Sequence, residues 1–531
     1  MRLTTAANVP TELLLRGAPE DECTVTDPTG RERRISGFGA PGELRVRYAS
    51  PVEGEHHFRS ASGEEGVVEV RPYEGANPLF RHGPLRVDAS GRHFAHADGT
   101  PFLWLGDTWW LGFVGRLGWP DEFQRLTADR VEKGFSVVQI VAGLYPEMPP
   151  FDPRGGAEWP WTAGFERLNP AWWDAADLRL AWLVRQGVVP CIVGAWGYHL
   201  LFSGVDTMTR HWREVIARWG SWPVVFCLAG EAKLPYYPDI FSDRAGEISQ
   251  RLQNEWAEVG AHVRALDTYG RLLSVHPSPG DASFSSWDIF EAHPELFDFA
   301  MLQTGHWDKQ SFETSLETLA RDVARQPPKP VLNSEVCYEG ILGSNWHDTQ
   351  RFLVWTHLLG GAAGHTYGAQ GLWAMSDGSF VGEAGAWSSQ TWEEAYRLPG
   401  SRHVGIAKRE FERHRWWEFE SHSEWVEPHA SPTDRLLPYA AGIPEAVRLI
   451  YFPSAAVLVN PPGGVSSALR EIRLRDLDRG WSAHYLNPRT GAALPQLEVE
   501  PDQTGTWTIG PGFLNANPSM EDWVLVLERR A

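Results

Sequence analysis

A chain of 531 residues exceeds what one hydrophobic core serves, so two or three domains are expected, one of about 250 residues or more and able to close a barrel. The formal charge of -20 argues against a nucleic-acid partner, because a phosphate backbone requires a basic face. Cys23, Cys191, Cys227 and Cys337 show no CxxC or metal-ligand spacing and read as small hydrophobes. The 27 tryptophans, by contrast, exceed what a core of this size requires. Indole faces pack on the C–H faces of sugars, so this is a carbohydrate cue. The start, Met1 to Thr5, has no apolar signal core, and no run of about 18 apolar residues occurs, so a cytoplasmic protein without a membrane partner is expected.

Residues 1–84 read as a β-sandwich. Glu12–Arg16, Glu43–Tyr48 and Val67–Arg71 are short runs, at least two of them alternating, between Gly, Pro and Asp turns. The pattern changes near residue 85. A hairpin over Arg92–Gly99 leads to an apolar strand, Phe102–Leu105, followed by Gly106-Asp107-Thr108-Trp109-Trp110. A helix begins at Pro120-Asp121-Glu122, turns Phe123, Leu126 and Val131 to one face, and stops at Gly134 before the strand Val137–Val141. That β-α-β unit recurs. Asn169-Pro170 caps a helix running to Gly187, with Ala176, Leu180, Leu183 and Val184 at helical spacing, and the strand Val188–Val193 follows. A fourth strand ends at Glu231, a fifth covers Leu272–His276 and a sixth Phe299–Gln303. Ser311 caps a helix whose buried face holds Phe312, Leu316, Leu319, Ala320 and Val323; the seventh strand ends at Glu335. A buried helix, Phe352–Leu359, and an eighth strand, Gly364–Tyr367, complete the series.

Eight strands alternating with helices, with no glycine-rich fingerprint after the first, predict an α/β fold with a (β/α)8 TIM barrel over 85–425. A polar helix near Glu393–His414 then gives way to a second β-sandwich over 426–531, with strands at Val447–Phe452, Ala456–Val459, Trp481–Tyr485 and Trp523–Leu527.

In such a barrel the chemistry sits at the carboxyl ends of the strands, where the βα loops converge. Val224–Glu231 and Pro330–Glu335 have one design, an apolar strand delivering a glutamate. Two carboxylates about 5 Å apart across a sugar are the equipment of a retaining glycosidase. Glu231 would then have to stay protonated and Glu335 ionised, with Tyr338 a candidate donor to Glu335. Opposed acids on strands four and seven resemble the large clan of retaining barrel glycosidases, in which the first is the acid/base and the second the nucleophile.

Six motifs in order carry a closer resemblance: Phe102–Trp110, Lys133–Gln139, His276-Pro277-Ser278, Met301–His306, Ser334–Glu339 and Gly364–Gly368. Together they resemble the apiosidase-like family of glycoside hydrolases over about residues 85–425, and the trailing sandwich is similar to the β domain that often follows. The resemblance implies a retaining, exo-acting hydrolase of a terminal sugar, sometimes a furanose such as apiose. One position departs from the family, whose strand four usually ends Gly-Gly-Asp where this chain has Ala229-Gly230-Glu231, an acid one methylene longer. The identity of the sugar is therefore not carried over.

By position, Asp107 either accepts hydrogen bonds from sugar hydroxyls or caps the barrel floor. His199, His276, Gln303, His306, His365 and Tyr367 are expected subsite donors, and Trp109, Trp110, Trp196 and Trp373 expected stacking platforms. Tyr145 and Glu147 are placed to reach the pocket, the Trp159–Trp161 loop to form its rim, and Glu339 to support Glu335 or face solvent. Two rivals stand beside the glycosidase: a metal-dependent barrel hydrolase using Asp107, His199, His276, His306 and His365, and a silent sugar-binding protein. The reading adopted needs no cofactor and no metal; its partner is a carbohydrate, with a homo-oligomer left open.

Overall fold

The computed structural model describes residues 1–531 except 41, 384–389, 454–470, 510–517, 520 and 531. At its centre eight parallel strands form one sheet in the order 5-4-3-2-1-8-7-6. They are β1 (Trp104–Thr108), β2 (Val137–Val141), β3 (Val189–Val193), β4 (Val225–Cys227), β5 (Leu273–Ser274), β6 (Ala300–Gln303), β7 (Val331–Glu335) and β8 (Gly364–Tyr367). All are buried along their length, as strands with helices outside and a filled barrel inside must be. The outer helices are α1 (Asp121–Lys133), α2 (Pro170–Arg185), α3 (His199–Trp219), α4 (Ala245–Leu266), α5 (Ser286–Phe290), α6 (Ser311–Val323), α7 (His347–Leu359) and α8 (Gly400–Glu412).

The seam between β5 and β6 is closed largely by hydroxyls. Ser274 Oγ donates to the Phe299 carbonyl, while Ser286 Oγ, at the start of α5, donates to the Val275 carbonyl and accepts from the Met301 N–H. The amino-terminal mouth of the barrel is plugged by the antiparallel strands Leu85–Val87, Phe94–His96 and Pro101–Phe102, whose Phe94 ring packs on Trp104 and Phe299.

Several local expectations shift. On α1 Phe123 and Leu126 lie on the buried face as expected, but that face continues through Arg130, and Val131 is 39% exposed. Pro120 is the N-cap residue, and Gly134, at φ 93°, ends the helix in the left-handed region that glycine adopts freely. Asn169 spends its amide on the Trp159 carbonyl instead of capping α2. Ser311 is the first residue of α6, and Ala320 on that helix is exposed. The stretch from Glu393 to His414 is two helices, Trp392–Ala395 and α8, parted before Pro399.

The amino-terminal region packs a five-stranded sheet on the pair Thr11–Arg16 and Glu43–Tyr48 around Leu13, Leu15, Val25, Phe58 and Val68. Arg47 of this region forms an ion pair with Asp177 of α2 at 2.6 Å and donates to the Arg218 carbonyl, and both guanidinium groups stack on Phe38. The carboxyl-terminal region packs a six-stranded sheet on a three-stranded one, with Trp481, Leu525 and Leu527 in the core between them. The expected strand Ala456–Val459 lies outside the described residues. A buried pair at 2.7 Å, Arg351 of α7 with Asp522, fastens this region to the barrel. No helix among the described residues is long and apolar enough to cross a membrane.

Candidate active site

A cavity of about 410 Å³ opens at the carboxyl ends of the strands, and both Glu231 and Glu335 line it. A larger cavity of about 600 Å³, between α6 and the carboxyl-terminal region, has Glu317 as its one lining carboxylate and therefore no opposed pair.

Glu335 reaches the cavity because β7 is irregular. Its register against β6 shifts, so that Leu302 pairs with Asn333 but Gln303 pairs with Glu335. In a regular strand residues 333 and 335 would share a face. Here Asn333 donates outward to Ser315 on α6 while Glu335 faces the cavity; the extra residue, Ser334, re-aims the chain. Glu231 arrives differently. β4 ends at Cys227, and the chain runs on through the Trp196–Gly230 bridge to Glu231, whose φ of 44° is a left-handed conformation costly for a non-glycine residue. A Cβ at Gly230 would stand 2.3 Å from the Trp196 ring, so this glycine is what lets the indole lie against the backbone and point at Glu231.

The two carboxylates receive opposite treatment. Glu231 accepts from Trp196 Nε1 at 3.0 Å, Ser278 Oγ at 3.1 Å and Gln303 Nε2 at 3.1 Å, all neutral donors. Burial, then the charge of Glu335, outweigh these bonds and push its pKa up to about 8. Glu335 is the more deeply buried of the two, which acts to raise its pKa, but it accepts from His306 Nε2 at 2.9 Å, lies 3.5 Å from His276 Nε2 and is bonded by Tyr338, and the sum holds it below the ordinary carboxylate value. Tyr338 is oriented by Trp110, whose indole N–H donates to the phenol oxygen at 2.8 Å, and its ring lies on Gly368, where a Cβ would stand 2.1 Å away. Gln303, bonded to one acid and register-paired with the other, links the two.

Of the residues singled out in the sequence, Trp110, Glu147, Trp196, Gln303, His306, Tyr338 and Trp373 line this cavity with the two acids, and His276 lies directly behind Glu335. Six lie elsewhere. Asp107 is fully buried, accepting from Arg130 Nε at 2.5 Å and from Trp109 Nε1 at 2.7 Å, so neither that acid nor that indole faces the cavity. Tyr145 packs on Trp159, and His199 Nε2 donates to the Tyr145 carbonyl beneath the β2 loop. His365 faces His357 at 3.1 Å under the barrel wall, and Tyr367 donates to Glu339 at 2.6 Å. Glu339 neither touches Glu335 nor meets solvent: it is buried against Tyr367 and the Gly400 N–H. Trp159 and Trp161 are buried and form no rim to this cavity. Among the described residues no three His, Cys, Asp or Glu side chains gather in a metal-binding arrangement.

Other lining residues were not singled out. Ser278 stood inside a quoted motif, four residues past the end of β5, without being read as a contact to Glu231. Tyr237, Phe241, Trp307 and Leu342 lie in loops where neither periodicity nor spacing marks them.

A parallel eight-stranded barrel opening a cavity onto two differently tuned carboxylates at its carboxyl end is the architecture of a barrel glycoside hydrolase. The apiosidase-like catalytic domain matches residues 88–418, and the chain belongs to that family. Among solved structures, a glycoside hydrolase family 5 protein from Bacteroides vulgatus ATCC 8482 is 20% identical and superposes with a TM-score of 0.65 over 86% of this chain and 95% of its own. A second structure from that strain is 18% identical, with a TM-score of 0.68 over 99% of this chain and 100% of its own. A further structure, named as a glycoside hydrolase, is 19% identical with a TM-score of 0.66, covering 86% and 99% of the two chains. These likenesses show the fold. No curated protein matches the chain.

Proposed function

We propose that the protein is a retaining, exo-acting glycoside hydrolase that removes a terminal sugar by double displacement. The observation that carries this reading is the asymmetry of the pair: one buried carboxyl held protonated near neutral pH, facing one buried carboxylate held ionised. Glu335 attacks the anomeric carbon while Glu231 gives its proton to the departing glycosidic oxygen, leaving a glycosyl ester on Glu335 and Glu231 ionised. Glu231 then takes a proton from water as that water attacks the anomeric carbon, which frees Glu335 and restores the acid. Tyr338 and His306 hold the attacking carboxylate, and Trp110, Trp196 and Trp373 wall the sugar. Furanosides such as apiosides and arabinofuranosides are the first substrates to test, given the family.

A screen of aryl glycosides, furanosides included, with the first-formed product anomer read by NMR, tests the proposal. Retention, with a mass increase on Glu335 from a slow fluorinated glycosyl donor, is the expected result. An inverted product would remove the nucleophile from the scheme. Unimpaired turnover in both Glu231→Gln and Glu335→Gln would remove both roles.

A further inference from the structure

The cavity is polar at depth and apolar at its mouth. Trp196, Ser278, Gln303 and His306 hydrogen-bond the two acids and Glu147 and Tyr237 add polar lining, whereas Leu234, Ile240, Phe241, Trp307, Ile341 and Leu342 supply an apolar part of the wall. Three of these are unusually open for their size: Phe241 is 98% exposed, Trp307 63% and Leu342 48%. Large apolar side chains that stay in water beside a site are stabilised only when something apolar covers them.

Their placement says what that is. Phe241 stands in the β4–α4 loop, ten residues after Glu231, the acid proposed to protonate the leaving oxygen, and lines the same cavity. Trp307 follows His306, which holds Glu335, and its backbone N–H is tied to Ser311 Oγ at 3.0 Å, so the loop is fixed while the ring stays open. A second sugar at this level would lay hydroxyls over the Phe241 and Leu342 side chains, which offer no hydrogen bond. A flat apolar group loses nothing there and gains ring-to-ring contact.

We propose that the mouth is a leaving-group subsite for an apolar, planar aglycone, so that the substrate class is a sugar carried on an aromatic or similarly flat apolar alcohol and not the end of a longer glycan. This deepens the hydrolase reading and rests on it for the direction of bond cleavage.

The test has two arms. In the first, 4-methylumbelliferone alone is titrated into the protein by calorimetry. It should bind one-to-one, about fivefold more weakly in Phe241→Ala or Trp307→Ala, and equally well in Trp417→Ala, which removes an exposed indole outside this cavity. In the second, benzyl and methyl glycosides of whichever sugar the screen identifies are compared, their leaving alcohols being of nearly equal acidity. The benzyl glycoside should show a KM about tenfold lower, an advantage lost in the two mouth variants. Absence of probe binding, or binding indifferent to both variants, overturns the subsite even if hydrolysis is found. An equal loss on an oligosaccharide ending in the same sugar would make the mouth a sugar site and overturn it too. Probe binding that depends on Phe241 and Trp307, with no glycoside hydrolysed, keeps the subsite and sinks the hydrolase.

Discussion

Two sets of buried acids stand in one barrel, and they are built on opposite terms. Around Asp107 the charge is settled by Arg130, which shares Asp129 and the Tyr396 carbonyl with Lys133; Glu339 is bonded by the Tyr367 hydroxyl and the Gly400 N–H, and although burial pushes its pKa up to about 7, it does not line the cavity. Around Glu231 and Glu335 no Arg or Lys among the described residues pairs with either acid; their hydrogen bonds come from indole, amide, hydroxyl and imidazole groups, and a cavity opens onto both. The first arrangement stabilises a fold. The second leaves a proton and a negative charge ready for a substrate, so an acid at a strand end becomes a chemical group only where its partners stop short of neutralising it.

The sharpest way to break this contrast is to exchange the consequences. Glu335→Gln should lower kcat by about four orders of magnitude while leaving the melting temperature nearly unchanged. Arg130→Met should do the reverse. With both partners fully buried, stranding Asp107 should cost about 3–5 kcal/mol in a denaturant titration, and the folded fraction should keep its KM. Glu231→Gln should reduce kcat by about a hundred- to ten-thousandfold, least for glycosides whose leaving group needs no proton.

The pH profile sharpens the same comparison. Activity needs Glu231 protonated and Glu335 ionised, so kcat/KM should fall as pH rises through about 8, and on the acid side only once pH drops below the ordinary glutamate range. The smallest effect should come from Trp196→Phe. Losing the indole donor removes a bond that favours the ionised form, so the alkaline limb should move up by less than about one pH unit. A downward movement would reverse the role assigned to that indole.

Much of this was legible in the chain. An apolar run that ends in glutamate marks both cavity acids, since an acid is tolerated there only with a purpose, and the alternation of strands and helices gives the barrel. Asp107 fits the same rule, yet belongs to the other set. What decides between them is Arg130, and phasing α1 through Val131 turns that arginine away from the barrel by about 100°. The bulge at Ser334 and the left-handed Glu231 were likewise beyond reach, because both are set by neighbours distant in sequence. Phe241 and Trp307 stand in loops, where no repeat distinguishes an open ring from a packed one.

The ion pairs that join the β-rich ends to the barrel bear on where the molecule can be cut. Trimmed to the family span of 88–418, the chain would forfeit Arg47 and Asp522, leaving Arg351 without its carboxylate and Asp177 with Arg218 but without its second guanidinium. The unit that homology outlines is thus smaller than the unit that physics holds together, and a truncated gene product should be expected in inclusion bodies before it is found inactive.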